Sequence, residues 1–316
     1  MLNALHITHW QRAAFCLVLV LSGCASINGV ATSSLDGRKV EHVVAGHGAP
    51  AVVFENGLGA RLQWWAKVLP EVAHETTVFA YNRAGTGASE EASAPRDGDT
   101  IIEELRRSLR DKSISPPYVL VGHSLGGLYM QLYARRYPQE VAGLVLVDST
   151  HPEQLKGPGA QDNWPTGLKL IFAAALSGTA KKELGELPAT GAAVLALPPF
   201  TGKPVIVLSA QKPMSETSDL ARDANAKRVE IVRLHPGAKQ VWVDSSHAIP
   251  LEKPEAVIAA IHGILLSAQA AKSHSPSTDD KLHHHRGEQA APSNGVRDRD
   301  WEPSVWEDFK AAIGPK

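Results

Sequence analysis

Val119-Leu120-Val121-Gly122-His123-Ser124-Leu125-Gly126-Gly127 holds three chemical units in a row. An apolar run suited to a strand comes first, then Gly-x-Ser-x-Gly, then the opening of a helix that can continue to Tyr137. A sharp strand-to-helix turn holds the central serine, Ser124, in a strained conformation with its hydroxyl exposed. Gly122 and Gly126 leave room for backbone to pass close by. The following helix aims its N-terminal N–H groups at charge developing beside Ser124. The five-residue pattern alone is weak evidence. Set between a strand and a helix, it points to a nucleophile rather than to a glycine-rich structural turn.

Working outward, apolar strand-like runs alternate with helical patterns, as in an α/β fold with a mostly parallel central sheet and helices on both faces. Strands are expected at 39–45, 51–55, 77–81, 118–122, 144–148, 205–209 and 241–244. Runs such as Val145-Leu146-Val147 are apolar on both faces, as strands covered from both sides should be. Helices fit at 62–73, 101–112, 126–137, 219–233 and 254–268. Thr100 and Glu103 have capping-box spacing. Between 151 and 203 the strand rhythm stops; helices at 169–177 and 181–187 would form a small cap insertion. The α/β domain is expected to span 38–270, preceded by a tether at 24–37. From 271 to 316 the composition turns to Ser, Asp, His, Arg and Pro, which reads as a mostly disordered tail with one short amphipathic stretch at 301–313.

Composition narrows the function. Among 316 residues, Lys+Arg is 32 and Asp+Glu is 33, a balance that argues against a nucleic-acid partner. Two cysteines, Cys16 and Cys24, cannot form a disulfide framework. No cofactor or metal is expected: the sequence has no phosphate loop, no dinucleotide fingerprint, no His-Glu-x-x-His and no Cys-x-x-Cys. His283-His284-His285 lies in the polar tail and reads as solvated low-complexity sequence.

The stretch Gly122-His123-Ser124-Leu125-Gly126-Gly127, with its helix ending Arg135-Arg136-Tyr137-Pro138, resembles the α/β-hydrolase superfamily on its lipase, esterase and peptidase side. The resemblance covers roughly residues 39–268. It implies a serine hydrolase performing acyl transfer through an acyl-enzyme, with a small-molecule carboxylic ester as the favoured substrate. Relatives that open epoxides or remove halides carry aspartate where this chain has Ser124. A cofactor-free perhydrolase, or a binding lipoprotein that retains the fold without catalysis, are the alternatives.

In that superfamily the order is Ser, acid, His. The histidine in a loop between the last strand and the last helix is His247, which the resemblance makes the general base. His123 neighbours the nucleophile but points away in such turns. For the oxyanion hole the resemblance implies two main-chain N–H groups: Leu125, and Leu58 in Asn56-Gly57-Leu58-Gly59, with Gly57 as the alternative, where relatives more often begin His-Gly. The stretch Tyr81–Ser89 resembles a structural loop of the family. The acid is open. Its usual place follows the 205–209 strand, but Ala210-Gln211-Lys212-Pro213 has no carboxylate there. Asp148, ending the 144–148 run, is the favoured acid because some family members carry it there. Glu216 and Asp219 are the alternatives.

The first 23 residues look like a secretory signal: Arg12 as the positive flank, then a short apolar run. Leu21-Ser22-Gly23-Cys24 resembles the bacterial lipobox. It implies cleavage before Cys24, acylation of its sulfur, and a membrane partner through that lipid. Ala25 after the cysteine implies the outer membrane of the cell envelope, facing the periplasm.

Overall fold

The computed structural model describes residues 27–211 and 217–273. The signal segment with Cys24, Glu216, and the polar tail with His283–His285 lie outside the described residues.

Eight strands form one sheet: β1 (Ala31–Leu35), β2 (Arg38–Ala45), β3 (Ala51–Glu55), β4 (Val78–Tyr81), β5 (Tyr118–His123), β6 (Val141–Val147), β7 (Val205–Ala210) and β8 (Lys239–Val243). Their spatial order is β1-β2-β4-β3-β5-β6-β7-β8. The first two pairings, β1 with β2 and β2 with β4, are antiparallel, and all others are parallel. The helices are α1 (Leu69–Ala73), α2 (Gly98–Asp111), α3 (Leu125–Arg136), α4 (Thr166–Ala175), α5 (Gly178–Ala196), α6 (Asp219–Glu230), α7 (Ile249–Glu252) and α8 (Pro254–Ser273).

Side-chain alternation along the central strands explains the layering. Val52, Phe54, Val119, Val121, Val145, Val147, Ile206 and Leu208 face one side, against Trp65, Leu69, Val257, Ile261 and Ile264. Val53, Leu120, Leu144, Leu146 and Val207 face the other, against Ile101, Leu105, Leu128 and Leu132. Every residue of β3, β5, β6 and β7 is buried. Truncating one of these leucines to alanine would cost about 2–5 kcal/mol.

β1 lies inside the stretch read as a tether. Its Thr32, Ser33 and Ser34 make a polar edge strand, which hydrophobic patterning cannot detect. Ile27, just before it, is buried in the core. The body of the protein therefore begins by residue 27. Three expected elements also change shape. The 62–73 helix is a 3-10 turn (Leu62–Trp65) followed by α1. Helix α2 starts three residues early because Asp97, not Thr100, is its N-cap; the Asp97 side chain accepts from Thr100 N at 2.9 Å. The 181–187 helix is the much longer α5, which carries Pro188 in its interior.

The segment between β6 and β7 holds α4 and α5. Helix α5 packs inward: Glu183, Leu187, Thr190, Gly191 and Val194 are buried. Helix α4 buries none of its ten residues. Among the described residues, no helix is long and apolar enough to cross a membrane.

Candidate active site

Ser124, Asp148 and His247 follow the carboxyl ends of the parallel strands β5, β6 and β8, where a twisted α/β sheet opens a crevice. Ser124 occupies the one-residue turn between β5 and α3, with φ 53° and ψ −124°. That left-handed backbone is costly for any residue with a Cβ and persists because its surroundings fix it. The Ser124 amide donates to Val147 O, and the Ser124 carbonyl accepts from Gly127 N and Thr150 N. The glycines make the turn possible. A Cβ on Gly126 would stand 2.4 Å from Glu55 O, and one on Gly122 would stand 2.6 Å from Gly127 Cα. Both are backbone collisions that no rotamer change relieves.

The Gly57 loop lies against the serine. A Cβ on Gly57 would be 3.2 Å from Ser124 Cβ and 3.1 Å from His123 Nδ1. Leu58 N and Leu125 N donate to no protein acceptor among the described residues. Two donors unclaimed among the described residues thus lie on the segments that meet at Ser124, one in the loop after β3 and one in the first turn of α3.

His247 follows β8. Its loop is tied down by Glu252, which accepts from Ser246 N at 2.9 Å, Ser246 Oγ at 2.6 Å and Ser245 Oγ at 2.9 Å. The His247 ring reaches the end of β6: Nδ1 lies 2.6 Å from Asp148 Oδ2. The donor must be Nδ1–H, leaving the Nε2 lone pair free to take a proton. Among the described residues no hydrogen bond joins the Ser124 hydroxyl to His247, a contact that commonly closes only around substrate.

Asp148 is the second strained residue of the site, with φ 39°. It lies one residue past the end of β6 rather than within it. Its carboxylate is buried and fully engaged: Oδ1 accepts from Ala210 N at 3.1 Å and Arg228 Nε at 2.8 Å, and Oδ2 accepts from Arg228 Nη2 at 3.2 Å as well as from His247. Burial alone would raise its pKa. The hydrogen bond and charge of His247, together with Arg228, outweigh burial and hold the carboxyl well below the usual range. Asp219 is elsewhere, in the first turn of α6, largely exposed and paired with Arg222. Its side chain serves its own helix, whose N-cap is Ser218.

His123 turns away from the solvent side of the site. Its ring stacks on Trp64 with centroids 4.9 Å apart and lies 4.7 Å from the His247 ring. Nε2–H donates to the His247 carbonyl at 2.9 Å. Burial, then the neighbouring His247, pushes the His123 pKa down to about 3, so it stays neutral.

Beneath the Gly57 loop lies a buried charge network. Glu55 at the end of β3 accepts from Tyr81 OH at 2.6 Å and from Arg83 at 2.6 Å, and Arg83 also grips Glu183 of α5. Burial raises the Glu55 pKa against the opposing effect of Arg83. Sequence reading missed the roles of Arg228 and Arg83. Arg228 sits in an ordinary polar helix, and nothing in its spacing shows that it bends to β6. Arg83 had one signal, its place directly after a strand in a glycine-rich loop. Among the described residues no cluster of three side chains could hold a metal ion.

The mostly parallel eight-stranded sheet, with a strand-turn-helix serine, a histidine after the last strand and an aspartate at a neighbouring strand end, has the α/β-hydrolase fold. The family model for the alpha/beta hydrolase fold matches residues 50–187. The chain has the α/β-hydrolase fold, and residues 50–187 carry the likeness to that family. It is similar to the YqjL protein of Bacillus subtilis, 25% identical over 71% of this chain and 86% of that one. It is also similar to the (lyso)-N-acylphosphatidylethanolamine lipase of Mus musculus, 28% identical over 38% of this chain; the match takes in only 36% of that protein. A crystal structure of a putative lipase from Acinetobacter baumannii superposes with a TM-score of 0.59 at 21% identity, covering 77% of this chain and 93% of that one.

Proposed function

We propose that the protein is a serine hydrolase of carboxylic esters, working through an acyl-enzyme on Ser124. The observation that carries this reading is the 2.6 Å contact between His247 Nδ1 and a buried, ionised Asp148, on the same sheet edge as a strained serine. Asp148 fixes the tautomer of His247 and stabilises the imidazolium. His247 Nε2 takes the Ser124 proton as Oγ attacks the ester carbonyl. The anionic tetrahedral oxygen is met by Leu58 N–H and Leu125 N–H. His247 then returns the proton to the leaving alkoxide, and water repeats the sequence to release the acid. The lipase of Mus musculus supports an acyl substrate by analogy over the shared region.

The test is labelling with a fluorophosphonate and turnover of p-nitrophenyl acetate. Ser124→Ala should abolish both while the protein stays folded. Labelling that survives in the variant, or a wild type that neither labels nor turns over ester, would sink the reading and favour a binding role.

Placement in the cell belongs to the same proposal. The Leu21-Ser22-Gly23-Cys24 pattern supports acylation at Cys24 and a position at the outer membrane facing the periplasm. Only Ala25 and Ser26 separate Cys24 from the buried Ile27, so a lipid there would hold the body close against the bilayer. Cys24→Ala should lose incorporation of labelled palmitate and leave the membrane fraction. Equal incorporation in both proteins would exclude this anchor.

A further inference from the structure

We propose that Arg83 is a positioning residue for the oxyanion donor at Leu58, delivering its charge through the Gly57–Leu58 peptide and tying that peptide to the cap helix α5 through Glu183. The proposal rests on the reading of Leu58 N–H as an oxyanion donor.

A guanidinium has five N–H donors in a planar fork. All five are used here. Nε donates to Glu183 Oε1 at 2.9 Å. Nη2 donates to Glu183 Oε2 at 2.9 Å and to Gly57 O at 2.8 Å. Nη1 donates to Glu55 Oε1 at 2.6 Å and to Asn56 O at 2.6 Å. The Arg83 side chain is 3% exposed, and its guanidinium lies over the Tyr129 ring of α3 at 5.3 Å. A residue needed only to neutralise Glu55 and Glu183 would have no reason to spend two donors on consecutive carbonyls.

Those two carbonyls are the informative partners. Gly57 C=O and Leu58 N–H belong to one planar peptide, so they point in opposite directions, and fixing one fixes the other. Arg83 holds the carbonyl end from the buried side. The Gly57 face of the same loop is packed against Ser124, as the close approach of a Gly57 Cβ to Ser124 Cβ shows. The N–H end is thereby turned toward the space beside the nucleophile. A hydrogen bond from a cation is stronger than one from a neutral donor, and it polarises the amide it reaches. Leu58 N–H becomes a better donor to an oxyanion for the same reason that Gly57 O becomes a better acceptor.

The second edge of the fork reaches the cap. Glu183 lies on α5 and is buried, and Arg96 stands 3.8 Å away on its other side. The bidentate Arg83–Glu183 pair therefore makes the seating of α5 and the orientation of the Gly57–Leu58 peptide one geometric unit. Displacing α5 would loosen the carbonyl grip and rotate the donor. Lysine keeps the charge, but its three N–H donors on one nitrogen cannot reproduce the five-donor planar fork that reaches four groups here, so Arg83→Lys is the sharp test.

Three readouts are compared in wild type, Arg83→Lys and Glu183→Gln: the Leu58 amide signal by nitrogen-15 NMR, kcat and KM for p-nitrophenyl acetate, and inhibition by an alkylboronic acid, which forms an anionic tetrahedral adduct on serine. In Arg83→Lys the Leu58 amide proton should move upfield. The kcat should fall by up to about a hundredfold with KM little changed, and boronate binding should weaken by the same factor. Glu183→Gln should move every readout the same way, with a kcat loss of about tenfold, and it carries the test if Arg83→Lys does not fold. An unmoved Leu58 amide with unchanged kcat and boronate binding in a folded variant overturns the proposal. So does a loss of titratable sites that accounts for all of the lost rate. A wild type that neither cleaves ester nor binds boronate would defeat the hydrolase reading, while the Leu58 amide would still decide whether Arg83 orients the loop.

Discussion

The ends of β6 and β7 are adjacent in the sheet and do opposite jobs. At the end of β6 the chain breaks into a left-handed residue, Asp148, whose carboxylate gathers four donors. At the end of β7 it runs straight through Ala210, with no acidic side chain, and contributes one of those donors from its backbone N–H at 3.1 Å. Superfamily members that carry the acid after β7 would need a carboxylate where this chain has only an amide. The comparison teaches that the position of an acid relative to the histidine is set by space, not by strand number. Here the end of β6 reaches the imidazole, with the end of β7 beside it. The buried carboxylate at the end of β6 is paired with a cation, Arg228 of α6, in place of open solvent.

That comparison breaks first at Asp148. If β6 alone carries the acid, Asp148→Asn should lower kcat by as much as roughly ten-thousand-fold, because the amide holds the wrong imidazole tautomer. Asp219→Asn should stay within about tenfold of wild type, the margin for a change at an exposed helix start. Rates normalised to fluorophosphonate-titratable sites decide it. A crippled Asp219 variant beside a healthy Asp148 variant would return the acid to the later loop.

Arg228 gives the next largest effect. Arg228→Met keeps the length of the side chain and removes two charge-assisted bonds to Asp148, each worth about 1.5–3 kcal/mol in such settings. The Asp148 carboxyl loses one of the influences that hold it down, so the acidic limb of the kcat/KM profile should move to higher pH. A profile that superimposes on the wild type would mean that Ala210 N–H and His247 suffice and that Arg228 only braces α6.

The smallest effect contrasts this edge with the β5 side, where His123 stays neutral. Its pKa is about 3 in the folded protein and near 6.5 when unfolded. Between those values the unfolded chain binds the extra proton, so stability is complete above pH 6.5 and declines as pH falls. Asp148 adds to the decline only below about 3.8, its unfolded value. His123→Gln should flatten the fall in melting temperature between pH 6.5 and 4. A residual slope should remain, because buried His235 has the same depressed pKa of about 3. An unaltered slope in thermal melts would show that His123 does not titrate as its surroundings dictate.

The parts of this molecule that declared themselves in the sequence are those governed by local chemistry. The central strands did so because burial on both faces leaves unbroken Val, Leu and Ile runs. The serine turn did so because its glycines are steric necessities. The place of His247, in the loop after β8, did so because chain order and loop position are one-dimensional properties. Elements governed by distant partners stayed hidden. β1 is stabilised by pairing with β2 rather than by its own apolar content, so Thr32-Ser33-Ser34 looked like linker. Pro188 broke the pattern of α5, yet burial of Leu187, Thr190 and Val194 carries the helix through it. Arg228 and Arg83 reach their carboxylates across 80 and 28 residues, separations over which no spacing rule operates.

The backward-folded backbone at Ser124 has a consequence for how such a protein can be improved. At φ 53° the residue best suited to the turn is glycine, which bears no Cβ to object. On the proposed reading of Ser124 as the nucleophile, robustness and reactivity therefore pull this single position in opposite directions. A population of variants sorted for heat tolerance alone would drift toward loss of the hydroxyl, and the hardiest survivors would be inert. Any search for a tougher form of the protein has to hold position 124 fixed and look for its gains elsewhere in the chain.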